Sequence, residues 1–124
     1  MIGLKNKKTN AGFTIVEVMT VIAVIGILVT ITYFMIGDWR KRTAQSEVSS
    51  DLNSLVSAME SAKTFSNGYP SSIPSTFTSS KNVTVTLVSS TVTAYCAEAT
   101  STEVTSVTYH VTGSNKTPAE GDCT

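Results

Sequence analysis

The sequence predicts an α+β fold in which a long N-terminal helix, membrane-spanning in its first half, packs its second half against a small antiparallel β-sheet. Three observations predict it. Residues 13–37 form an apolar run with a single charge, Glu17. Val48, Leu52, Leu55, Met59 and Ala62 recur at alternating spacings of four and three, the period of one helix face. The last third of the chain holds three stretches in which apolar and polar residues alternate, the period of a half-buried strand. At 124 residues the chain has room for one small domain with accessory segments.

Residues 1–12, MIGLKNKKTNAG, are short, basic and polar, and lack the apolar period that would join them to a core. They read as a leader. Residues 13–37 follow as the spanning helix, since positions 18–37 carry no charge and match the roughly 20 residues needed to cross hydrocarbon. A secretory signal peptide also pairs basic residues with an apolar run, but its core is only about 7 to 15 residues and ends at a small-residue cleavage site. This run ends instead in Gly37-Asp38-Trp39-Arg40-Lys41-Arg42, an aromatic and basic cluster of the kind that anchors a helix at a membrane surface. Three lysines precede the span and three bases follow it, so charge leaves its orientation open.

Residues 38–67 read as an amphipathic continuation of the same helix. Glu47, Asp51 and Glu60 flank the apolar stripe, and the helix is expected to stop near Asn67-Gly68-Tyr69-Pro70, where glycine suits a left-handed cap and proline cannot continue the ladder. Residues 68–124 form the β region. A polar loop over 71–81 leads to three expected strands. Their apolar faces are Val83, Val85 and Leu87; Val92, Ala94 and Cys96; and Val107, Tyr109 and Val111. Three strands laid on the Val48 stripe are about the minimum that folds stably.

Cys96 and Cys123 belong to no CxxC pair and no Cys/His cluster with metal-ligand spacing, so no metal or other cofactor is expected. In an oxidising compartment they read as a disulfide, adding roughly 3 to 4 kcal/mol in the chain-entropy model; in a reducing one they read as two free thiols. The formal charge is zero, but Lys5, Lys7 and Lys8 all precede Gly12, so a chain cut there keeps six basic against nine acidic residues, a net of −3. Lys81 and Lys116 with Tyr95 make a poor phosphate footprint in such a domain, which argues against nucleic acid as a partner. No Gly-rich phosphate loop, carboxylate pair or nucleophile elbow is present, which argues against an enzyme. His110, the single histidine, falls on the polar face of its strand and reads as a solvated residue. Asn82-Val83-Thr84 and Asn115-Lys116-Thr117 fit the glycosylation sequon, a short pattern that arises easily in a Thr-rich chain.

Glu17 carries the most physical information, because a carboxylate one turn into an apolar span costs several kcal/mol unless it snorkels or finds a partner. It sits in Gly12-Phe13-Thr14-Ile15-Val16-Glu17-Val18-Met19, followed by Ile22-Ala23-Val24-Ile25-Gly26-Ile27-Leu28. This stretch, with its basic leader, resembles the cleavage and methylation signature of type IV pilins and type II secretion pseudopilins over roughly residues 5–45. The resemblance implies that a prepilin peptidase cuts between Gly12 and Phe13 and that the new amine of Phe13 is methylated. It implies that Glu17 pairs with the Phe13 amine of a neighbouring subunit, and that the chain forms a helical homo-oligomeric filament built by a separate assembly platform and ATPase. A glycine at the cut also lets a peptidase approach an unobstructed backbone. Val18, Ile22, Ile25 and Val29 would then pack helix against helix, with Gly26 and Thr30 permitting close approach. Before assembly the chain would be a single-pass protein of the cytoplasmic membrane with its C-terminal half outside, and afterwards part of a surface filament. Many family members carry a helix-kinking proline where this chain has Phe34, which leaves the kink open; Gly26 and Gly37 could still loosen the helix, each a weaker break than proline at about 1 kcal/mol against alanine. An uncleaved membrane anchor displaying a small extracellular binding domain fits the same apolar span, and differs in keeping Met1.

Overall fold

The computed structural model describes residue 3 and residues 11–124. The expected leader lies largely outside the described residues, Lys5, Lys7 and Lys8 among them. The chain is α+β, with one helix, α1 (Ile15–Ser66), followed by β1 (Val83–Ser90), β2 (Tyr95–Ser101), β3 (Thr108–Thr112) and β4 (Ala119–Glu120). It divides into two compact units, the first ending at Ile36 and the second covering Gly37–Thr124.

In the first unit, α1 carries the long apolar run. Its most apolar 18-residue window has a mean hydropathy of 2.5, and none of that window is buried. It is the one helix among the described residues long and apolar enough to cross a membrane. Apolar side chains project all round the cylinder, from Val18, Val21 and Ile22 to Ile25, Leu28 and Val29, and all are at least half exposed. In water such a helix would have no reason to stay apart from other apolar surface.

The second unit contains the core. Ala44, Val48, Leu52, Leu55 and Met59 of α1 are buried in a single cluster with Val83, Tyr95, Ala97, Ala99, Val107 and Val111 of the β region. The expected stripe is thus the face that packs on the sheet, extended by Ala44 and fading at the half-buried Ala62. Asp51, expected to be a polar flank, is instead buried. Its carboxylate accepts the Ser80 N–H at 2.7 Å and the Ser80 hydroxyl at 2.8 Å, which fixes the end of the loop before β1 and satisfies a charge that would otherwise be costly to bury.

The sheet is an antiparallel meander of order β1-β2-β3-β4, with four strands where the sequence leads one to expect three. β4 is only two residues long, too short to show an alternating pattern, and pairs through Tyr109 with Glu120 and His110 with Ala119. β1 alternates as expected, with Val83, Val85 and Leu87 turned inward and Thr84 and Thr86 outward. A bulge between Leu87 and Ser89 leaves Val88 outside the pairing and half exposed.

The second strand departs from expectation in both position and face. Val92 and Ala94 lie in the turn that joins β1 to β2, closed by the Thr91 N–H donating to the Ala94 carbonyl at 2.7 Å, and Val92 is 66% exposed. The buried face of β2 is Tyr95, Ala97, Ala99 and Ser101 rather than Val92, Ala94 and Cys96. A one-residue shift reverses every side chain of a strand. The small alanines of this strand share one buried cluster with the large Leu52, Leu55 and Met59 of α1, a mix of sizes that suits a well-packed core.

α1 ends at Ser66, and the left-handed position is taken by Asn67 (φ 56°) and not by Gly68. Gly68 is needed for another reason. A Cβ there would come within 2.7 Å of Val92 Cγ1, and the neighbouring Tyr69 N–H donates to the Val92 carbonyl at 3.1 Å. His110, expected in solvent, is partly buried, with Nδ1 2.9 Å from the Gly121 carbonyl oxygen. Cys96 and Cys123 are joined by a disulfide. Together with the Cys123 N–H donating to Glu98 Oε2 at 3.3 Å, the bridge holds the end of the chain against β2.

Candidate assembly and processing site

The first turn of α1 is built by local hydrogen bonds. Thr14 precedes the helix and its carbonyl accepts the Val18 N–H at 3.2 Å, which makes it the N-cap. The Glu17 N–H donates to Thr14 Oγ1 at 3.2 Å, and Glu17 Oε2 accepts the Thr14 N–H at 3.3 Å and the Thr14 hydroxyl at 3.4 Å. This is a reciprocal capping box, with Thr at the cap and Glu at the third helical position. The signal in the residues is the pattern Thr-x-x-Glu just before the apolar run, less conspicuous than an acid placed in an apolar span. The carboxylate also lies where the positive end of the helix dipole favours negative charge. Both Thr14 donors go to Oε2, so Oε1 has no hydrogen-bond partner among the described residues.

Gly12 and Phe13 precede this cap in exposed chain outside any helix or strand, and Phe13 is 87% exposed. Among the described residues nothing lies within 4 Å of where a Gly12 Cβ would be, so none of them obstructs the backbone at this junction. Gly12, Phe13, Thr14 and Glu17 therefore fall together at the start of the spanning helix.

The polar groups further along the span are turned inward on its own backbone. The hydroxyls of Thr20, Thr30 and Thr32 donate to the carbonyls of Val16, Gly26 and Leu28, each at 2.8 Å. Gly26 has open space on its surface, and α1 continues without interruption through Phe34.

Elsewhere the strongest polar cluster ties the end of α1 to the β region. The Tyr69 hydroxyl donates to Glu60 Oε1 at 2.6 Å, Lys116 Nζ lies 3.2 Å from the same oxygen, and Lys63 Nζ stands 4.5 Å over the Tyr69 ring. The hydrogen bond from Tyr69 holds the Glu60 carboxyl below its usual range, and the same bond pushes the Tyr69 phenol up to about 12. Tyr95 packs edge-on against Tyr69 with ring centroids 4.6 Å apart, and burial pushes its phenol to about 12 as well. This group is a structural clasp; nothing in it resembles a nucleophile with a base. Among the described residues no group of three or more His, Cys, Asp or Glu side chains is placed to hold a metal ion.

Residues 7–33 match the family model of the prokaryotic N-terminal methylation motif, a segment that contains Gly12, Phe13, Thr14, Glu17 and most of the apolar run. The chain thus carries the type IV pilin and pseudopilin signature, and the match ends before the amphipathic half of α1 and the sheet. No curated protein matches the chain.

Proposed function

We propose that this chain is the structural subunit of a type IV pilus or a related filament, made as a membrane precursor and assembled through its N-terminal helix. One observation carries the reading: the methylation signature lies on a helix whose apolar window has no burial within the chain. Such a surface must be covered by something else. Lipid covers it before assembly, and the same helix of neighbouring copies covers it afterwards. The signature points to a structural subunit and away from catalysis.

In this reading residues 1–12 are a leader removed by a prepilin peptidase at the Gly12–Phe13 bond, and residues 13–37 are the membrane and filament-core segment. Residues 38–67 and 68–124 are the half of the subunit that ends outside the cytoplasm and forms the filament surface. The disulfide between Cys96 and Cys123 fits an oxidising compartment. Cleavage creates a positive amine on Phe13, one residue before the cap. Glu17 keeps Oε2 on Thr14, while Oε1 is available to the amine of an adjacent copy. A charge pair of this kind in a low-dielectric interior is strong only when the geometry is met, so it favours one axial offset between neighbouring helices. A separate platform and ATPase would supply the work of extraction from the membrane.

The test is mass analysis of filaments sheared from cells. The expected product begins at Phe13, carries a methyl group on its amine, and is the dominant chain or a defined minor component of the filament. A chain that starts at Met1 and stays in the membrane fraction would overturn the proposal in favour of an uncleaved anchor.

A further inference from the structure

Residues 119–124 form a strap across the outside of the sheet. Ala119 and Glu120 pair with His110 and Tyr109 along the edge of β3. The Gly121 N–H donates to the Thr108 carbonyl at 2.9 Å, and the Gly121 carbonyl oxygen lies 2.9 Å from His110 Nδ1. The strap ends over β2, on the face where Cys96 and Glu98 alternate with the buried Tyr95, Ala97 and Ala99. There the Cys123 N–H donates to Glu98 Oε2 at 3.3 Å and Cys123 is bonded to Cys96. The strap has no part in the core, since the buried cluster contains no residue beyond Val111 and neither cysteine. Hydrogen bonds at a hydrated surface contribute little each, whereas holding a stretch of backbone in place costs entropy at every residue. The covalent bridge is therefore the contact that decides whether the strap stays down.

Beneath the strap lies a strand edge. The Gly121 bond to the Thr108 carbonyl shows that the backbone groups of Thr108 and His110 point away from β2, toward the strap. At the opposite end of the sheet β1 pairs with β2 alone. The Thr102 N–H donates to the Asn82 carbonyl, so by strand alternation Thr84 and Thr86 turn their backbone groups to β2. The N–H and C=O of Val85 and Leu87 face outward, with no backbone partner among the described residues. β1 also lacks the charge or proline that commonly guards such an edge. With the strap down the sheet has one open edge. With the strap away it has two, and they differ: β1 of one copy then meets β3 of the next, a head-to-tail contact that repeats from copy to copy.

We propose that residues 119–124 are a redox-latched guard, held by the Cys96–Cys123 bridge over the β3 edge, which prevents β1-to-β3 pairing with a second copy of this chain. A dithiol opens the latch by giving two electrons and two protons to the bridge, which becomes two thiols, while the dithiol closes to its own disulfide. The strap then detaches, and the stripe of α1 and strands β1 to β3 keep their common core, an opening of one part of the unit and not of the whole. The partner is a second copy because both edges that would join are carried by this one sheet. The device lies wholly within the second unit and does not depend on the function proposed above.

The full chain, purified in detergent, is compared with and without dithiothreitol by residue-resolved amide hydrogen exchange and by sedimentation over a range of concentrations. In dilute solution reduction is expected to speed exchange of residues 119–124 and of the His110 N–H by about tenfold or more, while the amides between β1 and β2 stay protected. At high concentration the reduced chain is expected to sediment as oligomers in which the Val85 and Leu87 amides gain protection. The double variant Cys96→Ser with Cys123→Ser should behave the same way without reductant, which sets aside disulfides between chains. Thr84→Lys places a charge at an exposed position of β1, and under reduction it should release the strap yet remain monomeric. A strap still protected after reduction, or protection lost throughout the second unit, would overturn the proposal. So would a reduced chain that stays monomeric at every concentration, or oligomers that form equally with Thr84→Lys.

Discussion

Glu17 has two candidate roles, and a pair of substitutions separates them. In the capping box its carboxylate accepts two bonds from Thr14 and its own N–H gives one back, all between 3.2 and 3.4 Å and all exposed. Bonds this long at an exposed helix start belong at the low end of the capping range, so loss of the box costs about 0.5 to 1 kcal/mol. Pairing with a neighbour's amine inside a filament is a different order of effect. Breaking a buried charge pair by removing one partner costs about 3 to 5 kcal/mol, at least a hundredfold in an assembly equilibrium. Glutamine serves in a capping box almost as well as glutamate but carries no charge. Glu17→Gln therefore keeps the cap and removes the pair, Glu17→Ala removes both, and Thr14→Ala removes most of the cap while leaving the acid. The assay is the amount of subunit in sheared surface filaments, normalised to the amount in the membrane fraction. Both Glu17 variants are expected to insert normally and to yield almost no filament, while Thr14→Ala stays within a few fold of the unmodified chain. Filaments at normal yield from Glu17→Gln, with none from Glu17→Ala, would show that the acid acts only as a cap and would refute the charge-pair argument.

Two further outcomes follow from the second unit. Leu52 is fully buried in the core cluster that also holds Ala97 and Ala99, so Leu52→Ala should lower unfolding stability by about 2 to 5 kcal/mol, measured as a shift of the denaturant midpoint of the disulfide-intact chain in detergent; a change below about 1 kcal/mol would contradict the described core. Tyr69 and Tyr95 both have phenols raised from 10.0 to about 12, the first chiefly by its bond to Glu60 and the second by burial. The folded chain thus prefers their protonated forms. Their contribution to stability is complete below pH 10 and is lost as pH rises from 10 toward 12. Ultraviolet titration should show Tyr69 and Tyr95 ionising late, with unfolding in the same window; ionisation of both near pH 10 in the folded state would contradict the clasp.

The features legible in the sequence are those with a long period or a rare composition. The apolar run needed only counting, and the stripe from Val48 to Met59 repeats often enough that its face could be named before the sheet was seen. The β region was harder because alanine is a weak hydrophobic signal. Val92 drew the second strand toward itself, although it lies in a turn, while Ala97 and Ala99, which carry the buried face, look neutral in a Ser- and Thr-rich segment. β4 is too short for any period, so only its pairing with Tyr109 and His110 of β3 reveals it as a strand. Asn67 and Gly68 both suit a helix end, and only the proximity of Val92, which is remote in sequence, decides that the glycine must be the second. Asp51 looked like surface because its partner, Ser80, is 29 residues away. At the N-terminus the cleavage and methylation signature was complete in the residues. What local reading left out was that Glu17 already has a partner within its own first turn.

The three threonines of the span have one further consequence. Because Thr20, Thr30 and Thr32 spend their hydroxyl protons on carbonyls of the same helix, the cylinder asks nothing polar of whatever surrounds it. Moving from fatty acyl chains to a sheath of sibling helices then breaks no hydrogen bond and makes none, and the journey back is equally free of such toll. In the assembly proposed above, the polar difference between the two surroundings would then rest on one end of the cylinder, on Glu17 and the Phe13 amine, while the apolar side chains along its length contribute through packing alone.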